Sequence, residues 1–133
     1  MARTETRWRG TSSDERAHER RERLLNVCED IVAAEGAAAL GVRSVCRAAG
    51  ISPRHFYESF SDTDGLLLAA YERAVQRLLG HVAAAISARG ERAARPPLPA
   101  RDGLTTAFDA ATAYLQEHPQ SGHIVFREAL TNG

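Results

Sequence analysis

The stretch "SVCRAAGISPRHFYESF", residues 44 to 60, decides the fold. A short run with helical spacing stops at Ala48-Ala49-Gly50, and an Ile51-Ser52-Pro53 restart follows. Phe56, Tyr57 and Phe60 then crowd beside Arg54 and His55. Ser52 is a good N-cap, because its hydroxyl can accept a free backbone N–H, and Pro53 suits the first helical position, where no N–H is needed. Upstream, Gly41 opens a run in which Val42, Val45, Cys46 and Ala49 share one face. Two short helices, 42–49 and 53–59, joined by a turn holding Gly50, make a helix-turn-helix layout. Phe56 and Phe60 are one turn apart and can bury together. Ser52, Arg54, His55, Tyr57, Glu58 and Ser59 are left for the remaining surface. A helix pinned by its rings and presenting a short polar face suits the major groove of DNA.

Outward from this motif the pattern stays helical. Leu24, Val27, Cys28, Ile31 and Val32 recur at i, i+3, i+4, i+7 and i+8, which predicts a first helix from Ser13 to the glycine stop at Gly36. Residues 1 to 13, with Arg3, Arg7, Arg9 and Trp8, show no periodicity and read as a flexible arm. A fourth helix is expected from Ser61-Asp62 to near Ala88, carrying Leu66, Leu67, Ala70, Tyr71, Ala74, Leu78 and Val82. It would be about 37 Å long at 1.5 Å per residue. "RGERAARPPLPARDG", residues 89 to 103, reads as a Pro/Arg/Gly linker. Leu104, Ala107, Phe108, Ala111, Tyr114 and Leu115 form a fifth amphipathic stripe, with Phe108 and Tyr114 expected in the core. His118-Pro119 ends it, and Pro119 can open a sixth helix with Ile124, Val125, Phe126 and Leu130. No strand pattern and no repeat occurs. The fold class is therefore all-α.

Composition bounds the function. With 133 residues the chain holds one domain, or one and part of a second. Its formal net charge is zero, so a nucleic-acid surface would have to be local. All 17 basic residues are Arg, which makes every cationic contact a planar bidentate guanidinium. There is no apolar run of membrane-spanning length and no secretory apolar region, so a cytoplasmic location is expected. Cys28 and Cys46 both fall on apolar stripes and read as buried free thiols. Arg16, Arg20, Arg21 and Arg23, interleaved with Glu15, Glu19 and Glu22, read as a solvated helix face with i,i+4 pairs. "HERRE" lacks the second His of a zinc-protease helix, and His81, His118 and His123 show no ligand spacing. No metal and no cofactor is expected. Without a Gly-rich phosphate loop, a nucleophile elbow or a carboxylate pair, the chain does not read as an enzyme.

The segment "GVRSVCRAAGISPRHFYESFSDTDGLL" resembles the DNA-binding segment of the TetR family of bacterial transcriptional regulators. The resemblance spans about residues 20 to 75. It rests on Glu35-Gly36, Val45-Cys46, Ala49-Gly50-Ile51-Ser52, Tyr57-Glu-Ser-Phe60 and Leu66-Leu67, in that order. It implies a helix-turn-helix head over residues 14–75, a long linker helix, and the start of a helical ligand-binding and dimerisation body over 76–133. It also implies that Tyr57 contacts a DNA phosphate, that Ser52, Pro53, Arg54 and His55 face the groove, and that Phe60 is core. Gly41, Val42, Arg43, Glu58, Ser59 and Thr63 complete the expected DNA-binding set.

The sequence departs from the family pattern at Gly41, often Thr or Ser, at Thr63, often Lys, and at Cys46, usually Ala. The family body normally continues through further helices, so the chain reads as an incomplete regulator. The implied function is a sequence-specific DNA-binding regulator, a ligand-responsive repressor with helix 53–59 as its recognition helix. Its implied partners are a duplex operator, a small-molecule effector and a second copy of the full-length protein, with no membrane. The competing reading is a helical protein–protein interaction module that does not bind DNA.

Overall fold

The computed structural model describes residues 2–92 and 100–131, apart from the side chains of residues 2–11, 128, 129 and 131. Six α-helices occur among them: α1 (Ala2–Glu35), α2 (Val42–Ala49), α3 (Pro53–Ser59), α4 (Thr63–Arg92), α5 (Ala100–Glu117) and α6 (Pro119–Thr131). A 3₁₀ turn at Ala37–Ala39 follows α1. No strand is present among the described residues. The chain divides into two compact units, with the boundary between Ala70 and Tyr71.

The first unit is built around the rear half of α1, which packs against the 3₁₀ turn, α2 and α3, while α2 packs on α3. Its core holds Leu24, Leu25, Cys28 and Val32 from α1, and Val45, Cys46 and Ala49 from α2. Ile51 from the turn, Phe56 and Phe60 from α3 and its C-cap, and Leu66 and Ala70 from α4 are buried too. The apolar periodicity of each segment is thus the face that loses water, at about 25 cal/mol per Å² of apolar surface. Gly36 and Gly50 end α1 and α2 at positive φ, 93° and 66°, where a Cβ would strain the backbone. After Gly50, the Ile51 N–H returns to the Cys46 carbonyl at 3.0 Å and closes the turn.

The second unit, from Tyr71 onward, joins the later part of α4 with α5 and α6. Ala74, Thr106, Tyr114, Ser121 and Ile124 are its buried positions. Arg89 donates to the Thr106 hydroxyl at 2.8 Å, and that hydroxyl donates to the Asp102 carbonyl at 2.8 Å. The Tyr114 ring stacks on His118, 4.2 Å between centroids, and lies tilted against His81 at 5.1 Å.

Three expectations are corrected. The arm expected up to residue 13 is helical from Ala2 onward. That stretch holds no proline, and Gly10 costs only about 1 kcal/mol against a helix already propagating. The side chains of Arg3, Arg7, Trp8 and Arg9 lie outside the described residues. The linker expected over 89–103 is shorter, because α4 reaches Arg92 and α5 begins at Ala100. Both ends lack an internal proline, and Arg89 and Arg92 suit the negative end of α4; residues 93–99 lie outside the described ones. Finally, Phe108 is not core but 72% exposed, and Leu104, Phe126 and Leu130 are also exposed. Tyr114 and Ile124 are the large apolar side chains that α5 and α6 bury instead.

Candidate nucleic-acid interface

α2 and α3 occupy the residues expected from the sequence. Gly41 is the N-cap of α2 in an extended conformation, φ −144°. The Ser44 hydroxyl accepts its N–H at 3.1 Å and donates to its carbonyl at 3.0 Å, which is the N3 half of a capping box; Gly41 has no side chain to supply the other half. The Ser52 hydroxyl caps α3, accepting the His55 backbone N–H at 3.4 Å. It also lies 2.9 Å from His55 Nδ1, which ties the imidazole to the helix start and leaves Nε2 as the ring nitrogen Ser52 does not engage. Phe56 is fully buried, and Tyr57 leans edge-on against it, ring planes at 86°, while remaining 57% exposed. The tyrosine is braced from within and open outward.

Charge is concentrated at the turn. Between Gly36 and Tyr57 the sequence has Arg43, Arg47 and Arg54 and no acidic residue, inside a chain of net charge zero. All three arginines are exposed and make no hydrogen bond or ion pair with the described residues. Arg43 and Arg47 stand one turn apart on α2. With Cys46, Gly50, Ile51, Ser52 and Pro53 they line an open depression of about 520 Å³. Burial pushes the Cys46 thiol up from its ordinary value, so it stays protonated at the edge of this depression.

The sequence-derived candidates therefore separate into groups. Arg43, Ser52 and Pro53 meet at the depression, and Arg54 and Tyr57 are exposed on α3. Gly41 and Val42, half-buried, begin α2, and Thr63, half-buried, begins α4 behind Asp62. The Asp62 carboxylate accepts the Gly65 N–H at 2.8 Å. Glu58 and Ser59, at the far end of α3, turn to α1: Glu58 pairs with Arg20 at 3.9 Å, and the Ser59 carbonyl accepts from Arg21 at 3.4 Å. Two features escaped sequence reasoning. Arg47 belongs with Arg43, a relation readable from their i,i+4 spacing. Arg20 and Arg21 do not only decorate a solvated helix face but reach across to α3, which no local spacing signals.

Among the described residues no cluster of three or more His, Cys, Asp or Glu could hold a metal. No described helix is long and apolar enough to cross a membrane.

Fold and site together define an all-α helix-turn-helix protein whose α2 and α3 carry three exposed guanidiniums without a partner among the described residues. Residues 24–70 match the family model described as "Bacterial regulatory proteins, tetR family", a match that falls on the helix-turn-helix and the helices around it. Solved structures share the fold across most of the chain. A TetR family transcription regulator from Marinobacter aquaeolei VT8 superposes with a TM-score of 0.73 at 22% identity, over 90% of this chain and 58% of its own. A TetR-like transcriptional regulator from Rhodococcus sp. RHA1 gives a TM-score of 0.71 at 21% identity, over 85% of this chain and 57% of its own. The chain thus spans a little under three fifths of the length of these relatives. No curated protein matches the sequence.

Proposed function

We propose that the protein is a sequence-specific DNA-binding transcriptional regulator, a ligand-responsive repressor, with α3 as the recognition helix. The observation that carries this reading is the trio Arg43, Arg47 and Arg54, exposed and unpaired among the described residues at a capped helix-turn-helix. Exposed guanidiniums without a carboxylate partner are suited to phosphate oxygens and to the O6/N7 edge of guanine. In this reading Arg54 reads a base edge near the start of α3, with Ser52, Pro53 and His55 beside it. Tyr57, Arg43 and Arg47 hold phosphates, Gly41 and Val42 bring the α2 backbone N-terminus close to the DNA backbone, and Thr63 offers a hydroxyl donor at the start of α4. Glu58 and Ser59 close the contacting helix at its far end. Residues 14–75 act as the DNA-binding head and 76–133 begin the effector-binding and dimerising body. The partners are a duplex operator, a small-molecule effector and a second copy of the full-length protein, in the cytoplasm.

The test is selection of bound duplexes from a random pool, followed by titration at two salt concentrations. Enrichment of one motif, with affinity falling linearly in log salt, is the expected result. Absence of any duplex affinity at low salt would overturn the reading and favour a protein partner for the same surface.

A further inference from the structure

The far end of α3 raises a problem that the arginine trio does not solve. Glu58 lies one turn after Arg54 on the same helix, the spacing at which an Arg–Glu pair forms. A carboxylate at that place would occupy Arg54 and repel phosphate. In the structure it does not occupy Arg54. Glu58 is paired instead with Arg20, which arrives from α1, 38 positions earlier in the chain, and Arg54 is left without a partner among the described residues. Arg21 holds the geometry in place. Its guanidinium sits 4.6 Å from the centroid of the Phe60 ring and donates to the Ser59 carbonyl. One arginine thus fastens the last turn of α3 to α1 through a buried ring, and its neighbour takes the carboxylate of that turn.

We infer that Arg20 is a positioning residue for DNA recognition: by engaging Glu58 it keeps Arg54 free for the duplex. This rests on the DNA-binding reading above. The Arg20 and Glu58 side chains are 26% and 51% exposed, so the pair itself adds little to stability. Its effect falls on which arginine Glu58 captures. Loss of Arg20 hands Glu58 to Arg54; removal of the Glu58 charge as well releases Arg54 again.

The experiment compares the wild-type chain with R20A, E58Q and R20A/E58Q. Affinity is measured for a mixed-sequence duplex and for the best duplex from selection, and the Arg54 Nε–H resonance is followed by NMR without DNA. R20A should weaken binding roughly 2- to 5-fold, the size of one partly screened charge interaction. E58Q should strengthen it, and the double variant should bind at least as well as wild type. The Arg54 resonance should shift in R20A and return in the double variant. A double variant as weak as R20A would overturn the inference, because Arg20 would then be a phosphate contact or a structural prop. If the wild type binds no duplex, the DNA reading falls by itself. The NMR arm still decides whether Arg20 governs Arg54, and an unmoved Arg54 resonance in R20A would overturn that too.

Discussion

At the scale of single residues, Arg54 and Tyr57 separate reading from holding. Arg54→Ala should cost about 1–3 kcal/mol on the selected sequence and relax specificity at one position. Tyr57→Phe removes only an exposed hydroxyl and should weaken specific and random duplexes alike. Paired titrations on both kinds of DNA check this, and an equal loss for Arg54→Ala would make Arg54 a phosphate contact. Gly41 carries the opposite expectation. Its backbone is extended, and a Cβ there would meet only the Ser44 hydroxyl oxygen, at an ordinary 3.5 Å. Gly41→Ser should therefore stabilise the fold by a few tenths of a kcal/mol, to about 1, through capping and a stiffer unfolded chain. It should also tighten DNA binding by adding a donor at the start of α2. Thermal melts and the same titrations measure both.

At the scale of elements, α3 shows why so short a helix holds its shape. Seven residues cannot form a stable helix alone, since nucleation is costly. The helix is secured at one end by Ser52, at the other by the Phe60 N–H returning to the Phe56 carbonyl at 2.9 Å, and below by Phe56. Phe56→Ala should destabilise the chain by about 3–5 kcal/mol, and Ser52→Ala by about 0.5–2 kcal/mol. Urea titrations of the two variants should preserve that order. α2 and α3 were legible to the residue because Gly, Ser and Pro mark their ends by local backbone chemistry. The start of α1 and the ends of the linker were not. Their boundaries depend on where a propagating helix meets a stop, and arginine, alanine and isolated glycine are weak stops.

At the scale of the whole molecule, the two units differ in how well their apolar stripes are covered. In the first, Phe56 and Phe60 are buried; in the second, Phe108 and Phe126 are exposed. Phe108→Ala should cost well under 1 kcal/mol, whereas Ile124→Ala, at a fully buried position, should cost about 2–5 kcal/mol. Chemical denaturation followed by α5–α6 amide exchange distinguishes them. The sequence by itself determined the helix count, the helix-turn-helix and its caps, and the buried pair Phe56 and Phe60. Those features are written in spacing and in the conformational preferences of Gly, Ser and Pro, which act within a turn or two of chain. Only the tertiary structure decided that Phe108 is exposed while Tyr114 is buried, since both sit on an apolar stripe and burial depends on which neighbour arrives. It alone decided, too, that Arg20 takes Glu58 and leaves Arg54 free. An ion pair joins whichever charges packing brings within reach, and no local pattern in the chain encodes a meeting between residues 20 and 58.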